Sequence, residues 1–242
     1  MSSTITHPDY NLIASVNNQY YSQDYLKYNL PFIHELFLSK LPVGSNILDI
    51  CCGVGRLAQM LLNKGYKVTG IDSSEAMLHY ARENASNGEF ICSDARYFEL
   101  LPVFEGAIST GAFNHFMSCE ELRSAFESVY KALCCNGLFV FNILLEQGFQ
   151  AGWNDIVLSD AKDDCAWIVK HIYNPEEKIG QIKITGFKFI EKNWQRFDDI
   201  MLVKTYAADE IIFALENVGF KQVRVYYSEP DKSRESYFVA YK

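Results

Sequence analysis

The sequence has no cluster of Lys and Arg, no Cys-x-x-Cys pair and no apolar run of bilayer-spanning length. Its 22 basic and 30 acidic side chains leave a net charge of -8. That field repels a phosphate backbone, so no nucleic-acid partner is expected. The longest apolar stretch, Gly137 to Leu145 with Asn142 inside it, falls well short of the roughly 20 residues a membrane helix needs, so no membrane association is expected either. Met1 to His7 lacks a basic flank followed by an apolar segment, and a cytoplasmic protein without a secretory leader is the expectation. The seven cysteines are odd in number, include two adjacent pairs and sit mostly in apolar segments. They read as reduced thiols rather than disulfides or zinc ligands, and no metal site is predicted. There is no internal repeat and no low-complexity segment. At 242 residues and 49% hydrophobic composition the chain is a globular protein able to bury a full core.

The stretch Asn46 to Ala58, NILDICCGVGRLA, carries the most information. An apolar strand ends in Asp49 and breaks into a turn at Gly53 and Gly55. Glycine permits both unusual dihedrals and close approach of a ligand, and the helical pattern after Arg56 aims its free N-H groups at the same place. Val68 to Asp72 reads as a second strand ending in an acid about 20 residues past the turn, the separation at which an Asp reaches ribose hydroxyls. Glu89 to Asp94 reads as a third. Three strands thus deliver Asp49, Asp72 and Asp94 to one edge of a parallel sheet, where ligands bind.

Strands alternate with helical patterns from Asn46 to Ile143: helices at Leu57 to Lys64, Glu75 to Asn84 with Ser74 as N-cap, and Cys119 to Leu133, and a fourth strand at Gly106 to Ser109. A helix is expected from Asp24 to Leu41, behind the aromatic stretch Asn17 to Tyr25. After Ile143 the rhythm stops. Gly148 to Asp164 is polar and turn-rich, and Ala166 to Tyr173, Gly180 to Phe189 and Trp194 to Lys204 read as antiparallel strands. The core resumes with a helix from Ala208 to Asn217, a strand Gln222 to Tyr227, a turn at Pro230 and a strand Ser236 to Tyr241. The expected fold is α/β: a doubly wound, mostly parallel seven-stranded sheet with helices on both faces, plus a small antiparallel β insertion. One domain is predicted over 1–242, with an N-terminal helical lid segment 1–45, a Rossmann-like core in 46–144 and 206–242, and a β-rich insertion 145–205 over an acceptor pocket.

Five segments resemble the class I S-adenosylmethionine-dependent methyltransferases: Leu48 to Gly55, Gly70 to Met77, Ser93-Asp-Ala95, Phe104 to Gly111 and Asn136 to Phe141. The turn alone also satisfies a dinucleotide fingerprint, with Ala58 and Asp72 completing it, so an NAD-type oxidoreductase is the alternative enzyme class and a cofactor-binding module without activity the non-enzymatic one. The acid before the glycines, Ser-Asp-Ala after the third strand and the lack of room for a second mononucleotide half favour the methyltransferase. Two departures stand out: Cys51 where the family usually has glycine, and Ser73 where an apolar residue commonly packs on adenine.

The resemblance implies S-adenosylmethionine as cofactor and S-adenosylhomocysteine as product. It gives the backbone of Cys51, Cys52, Gly53 and Gly55 to the methionine part, Asp72 to the ribose, Ser73 and Met77 to its neighbourhood, and Asp94 with Ala95 to the adenine edge. Asp49 is expected to support the loop. Thr110 and His115 follow the fourth strand, near the transferable methyl; His115 is the candidate general base, against a structural histidine on a loop. Tyr20 and Tyr21 are lid candidates, Arg56 a candidate for the methionine carboxylate against an exposed arginine. The insertion carries Trp153, Trp167, Trp194, His171 and Arg196, read as an acceptor cover with a homodimer surface as the competing use. The expected activity is methyl transfer to nitrogen or oxygen of a small molecule by in-line displacement.

Overall fold

A computed structural model of the chain describes residues 10–18, 22–153, 156–228 and 235–242. Tyr20 and Tyr21, and the turn at Pro230, lie outside them. Two helices come first, α1 (Tyr10–Val16) and α2 (Ser22–Leu36). The helix expected to run on to Leu41 stops at Leu36: Phe37 leaves helical geometry at φ -123°, and Leu38–Lys40 form a separate 3-10 turn.

The alternation then unfolds as read: β1 (Asn46–Ile50), α3 (Arg56–Asn63), β2 (Lys67–Asp72), α4 (Glu75–Asn84), β3 (Glu89–Cys92), β4 (Phe104–Ser109), α5 (Cys119–Ala132) and β5 (Leu133–Ile143). A short turn, α6 (Glu146–Gly148), leads into the insertion, β6 (Val157–Ala161), β7 (Cys165–Asn174), β8 (Ile179–Ile190) and β9 (Asn193–Lys204). After it come α7 (Ala208–Val218), β10 (Lys221–Tyr227) and β11 (Ser236–Tyr241). The insertion therefore has four strands, not three. β6 escaped the sequence reading because all five of its residues are exposed on a sheet edge, so no apolar alternation marks it.

The main sheet has the order β10-β11-β5-β4-β1-β2-β3, parallel from β5 through β3, with β11 antiparallel to β5 and to β10. Strand order reverses between β1 and β4, so the crevice beyond their carboxyl ends is the topological switch point. Alternation along each strand divides the core in two. Leu48, Ile50, Phe139, Phe141 and Phe238 pack with α5 and α7 around Phe126 and Phe220. Ile47, Ile108, Val140, Tyr237 and Val239 pack on the other side with Ile33 and Phe37 beside α2, and with Leu57 and Leu61 of α3. Asp49 and Asn142 belong by alternation to this second face, toward α2 and α3.

The insertion sheet follows the same logic. Register puts Trp167, His171 and Tyr173 of β7 on one face with Gly180, Ile182, Ile184 and Gly186 of β8 and Phe197, Asp199, Met201 and Val203 of β9. Tyr173 and Val203 are buried against Phe149, and Lys188 of that face reaches Ser15 of α1, so this is the inner face. Trp194 and Arg196 alternate to the outer face. Trp194 is 52% exposed, and Arg196 forks onto Asp198 at 2.8 and 2.9 Å. Neither looks toward the core; Trp167 and His171 do.

Candidate functional site

The loop after β1 turns with left-handed dihedrals at Cys51 (φ 56°), Gly53 (φ 53°) and Gly55 (φ 73°). A Cβ at Gly55 would stand 2.9 Å from the Cα of Ala81, so the third of these positions holds α4 close to the loop. A Cβ at Gly53 would meet only open space, so it is the dihedral that favours glycine there and the backbone lies open to a ligand. Cys51 adopts the same region without being glycine, at a cost of roughly 1–2 kcal/mol.

Three acids do converge on this edge, each with a different task. Asp49 is buried under α3, and its carboxylate accepts from the Ala58 N-H in the first turn of that helix. Its Oδ2 is sealed from solvent and has no partner. Burial first, and the charge of Asp72 second, push its pKa up to about 8. Asp72 is a latch: Oδ2 accepts from the N-H of Gly53 and Oδ1 from the N-H of Ser74, both at 2.9 Å. Burial raises its pKa, while these backbone donors pull it down. Backbone donors thus favour the charged form of Asp72 more than that of Asp49, although burial leaves the Asp72 pKa raised overall.

Asp94 is engaged more heavily than the sequence suggests. Arg96 grips both its oxygens at 2.6 to 3.1 Å and also reaches Glu121 at 2.6 Å, which holds the Asp94 carboxyl below its ordinary range. Ala95 beside it is buried. Ser74 caps α4 by accepting from the Met77 N-H at 3.2 Å, and Ser73 is exposed at the same turn. Arg56 is not an exposed side chain, and its Nε is sealed without a partner. It is half-buried and donates at 2.9 Å to both the carbonyl and the side chain of Asn18, which also accepts from Asn84. The segment after α1 is thereby fastened across the glycine loop.

The vicinal thiols Cys51 and Cys52 are the reverse of activated. Burial and the neighbouring acids push both well above the usual thiol range, outweighing the helix N-terminus nearby.

Beyond β4, Thr110 is half-buried and Gly111 turns at φ 70° beneath the Tyr25 ring. Asn114 ties the loop to both ends of the insertion, donating to the carbonyls of Leu144 and Lys204 at 2.9 Å and accepting from the Leu144 N-H at 3.0 Å. His115 is exposed as a residue, yet its ring rests against β9. Desolvation there lowers its pKa, partly offset by a hydrogen bond to the Leu202 backbone.

Beside Gly111 lies a polar cluster that the sequence reading missed. Asn142 of β5 accepts from the Gly111 N-H at 2.9 Å and donates to Tyr25 at 2.8 Å and Asn29 at 3.1 Å. Tyr237 donates to Asn29, and Tyr25 donates to Glu235 at 3.3 Å. One signal was available: a lone Asn in the most apolar run of the chain.

Residues 47–137 match the family model of a methyltransferase domain. The chain is 26% identical over 192 residues to YqeM of Bacillus subtilis, a protein designated a methyltransferase, spanning 77% of this chain and 78% of that one. It is 25% identical over 213 residues to dTDP-3-amino-3,4,6-trideoxy-alpha-D-glucopyranose N,N-dimethyltransferase of Streptomyces venezuelae, spanning 86% and 87%. Its fold is similar to that of S-adenosylmethionine-bound CalS10, an amino pentose methyltransferase from Micromonospora echinaspora, at a TM-score of 0.73, 16% identity and 95% of both chains.

Proposed function

Because the chain is a class I S-adenosylmethionine-dependent methyltransferase, we propose that it methylates a small-molecule acceptor at nitrogen or oxygen in the cytosol. The observation that carries this reading is the convergence of the open Gly53 turn, the Asp72 latch and the end of β4 at the switch point of the sheet. S-adenosylmethionine supplies an electrophilic methyl on a sulfonium. The residues suit such a ligand. Gly53 leaves room for it, and the Asp72 carboxylate, which takes backbone donors from Gly53, Ser73 and Ser74, keeps an acceptor site for a ribose hydroxyl. The unpartnered Oδ2 of Asp49 lies under the loop.

In this reading the backbone of Cys51, Cys52, Gly53 and Gly55 carries the methionine end, with Ser73 and Met77 beside the ribose and Asp94 with Ala95 at the adenine edge. Thr110 borders the methyl. His115 takes a proton from the acceptor, its lowered pKa keeping the imidazole neutral and basic at pH 7. The chain otherwise contributes alignment and exclusion of water, the main demands of an in-line displacement. The relative from Streptomyces venezuelae, named an N,N-dimethyltransferase, favours nitrogen over oxygen. Among the described residues no helix is long and apolar enough to cross a membrane.

Calorimetry with S-adenosylmethionine, S-adenosylhomocysteine and NAD tests this. The first two should bind and NAD should not. Asp72→Ala should weaken them by about one to two orders of magnitude, from charge-assisted hydrogen bonds worth about 1.5–3 kcal/mol. Circular dichroism checks that the fold is kept. Tight NAD binding, or unchanged affinity in a folded variant, refutes the assignment.

A further inference from the structure

Resting on the methyltransferase reading above, the polar cluster beside Gly111 says what the acceptor is. Glu235 stands one residue before β11, whose first residue pairs with the last of β5, so it lies at the carboxyl edge of the sheet. Its carboxylate accepts a hydrogen bond from Tyr25 at 3.3 Å, and the Asn142 amide beside it favours the charged form. Oε2 is sealed from solvent and lacks a partner, and no cationic side chain among the described residues pairs with it. Burial pushes its pKa up to about 7.

A carboxylate needed only for structure would have its charge met by a cation or by donors on both oxygens. This one is held by neutral groups that are themselves fixed. Asn142 is anchored by the Gly111 N-H, and Asn29 by Tyr237 and by its own bond to the Tyr25 carbonyl. Such a frame aims the group without neutralising it.

The inner face of the insertion repeats the pattern. Asp199 of β9 has an Oδ2 that is sealed and unpartnered, and burial raises its pKa. The cation of that face, Lys188, is four residues along β8 from Ile184, the register partner of Asp199, or about 14 Å at strand rise. Lys188 is held by Ser15. Two separate elements therefore each present a carboxylate with a sealed, unpartnered oxygen, the Glu235 carboxyl buried and Asp199 half-buried.

We propose that the acceptor is a cationic amine and that Glu235 receives its ammonium group at Oε2, with Asp199 adding to the negative field. For such an acceptor Glu235 replaces His115 as the group that takes the single proton to be lost: an N-H bond of the ammonium breaks and an O-H bond forms on the carboxylate. The neutral amine uses its freed lone pair to form the new N-C bond as the methyl-sulfur bond breaks, and that bonding pair stays on sulfur. The methylated nitrogen leaves as an ammonium, carrying the charge the sulfonium lost.

The test screens protein saturated with S-adenosylhomocysteine against a panel of primary and secondary amines, each matched with its hydroxyl counterpart, by thermal shift and calorimetry. Amines should bind and hydroxyl partners should not. Glu235→Gln should weaken the amines at least tenfold while S-adenosylmethionine affinity stays within twofold; Asp199→Asn should weaken them less. Should Glu235→Gln fail to fold, Glu235→Asp replaces it, with weaker amine binding but the preference for amines retained. Equal response to amines and hydroxyls, including none to either, or amine affinity untouched in the variants, overturns the proposal. Failure of the wild type to bind S-adenosylmethionine instead overturns the methyltransferase reading on which it rests.

Discussion

Replacing Asp49 with Asn should stabilise the protein, and by an amount that depends on pH. Below pH 3.8 the carboxyl is protonated in both the unfolded and folded chains and contributes no difference. As pH rises from there the unfolded chain ionises, while the folded chain keeps its proton until about pH 8. The penalty from this group is thus absent at low pH, grows through the interval and levels off above it. At pH 7 the gap is about 3.2 pH units at about 1.36 kcal/mol each, a penalty on the order of 4 kcal/mol. The amide of the D49N variant would carry no such penalty and would keep an oxygen for the Ala58 N-H. Urea denaturation of both proteins from pH 4 to pH 8, with matched m-values, reads the difference directly. The two stability curves should diverge steadily with pH. Parallel curves, or a variant less stable at pH 7, would show that Asp49 is ionised in the folded protein.

Two further outcomes follow from the site. Alkylation with iodoacetamide at pH 7.5 should modify the exposed Cys92, Cys119 and Cys135 before the half-buried Cys51 and Cys52, as mapped by peptide mass spectrometry. Early labelling of the adjacent pair would contradict the raised pKa assigned to both. Trp194→Ala and Arg196→Ala, on the outer face of the insertion, should leave acceptor KM and kcat within about twofold of wild type, since a solvent-screened ion pair and an outward ring contribute little. Trp167→Ala on the inner face should raise KM, and a reversal of that order would mean the sheet faces have been assigned the wrong way round.

The core was legible because its signals are local. Asp49, Asp72 and Asp94 each close a run of apolar residues, and glycines follow the first, so strand ends and ligand edge coincide in the sequence. The seven-stranded sheet and its doubly wound connections follow from that rhythm. What these acids do was less legible. Whether Asp94 faces a ligand or Arg96 depends on a guanidinium whose other end meets Glu121, far along the chain. The strand β6 has no buried residue to betray it. Glu235 and Asn142 escaped for a different reason: their meaning lies in the pairing of β11 with β5 and in the approach of α2, long-range contacts that no spacing rule records. Arg56 was read by its place at a helix start, while its actual partner, Asn18, belongs to a segment without periodicity.

Asn114 has one more consequence. Its side chain clasps the carbonyls of Leu144 and Lys204, so the insertion departs and returns at neighbouring points, and its own ladder of strands supplies most of its backbone bonding. Closing a segment at such a narrow neck costs only slightly more as the segment lengthens. A replacement cassette of different size would thus inherit a ready-made doorway, with the glycine loop and its acids on the far side of the neck untouched. A graft that replaces the insertion has its natural seams at Leu144 and Lys204.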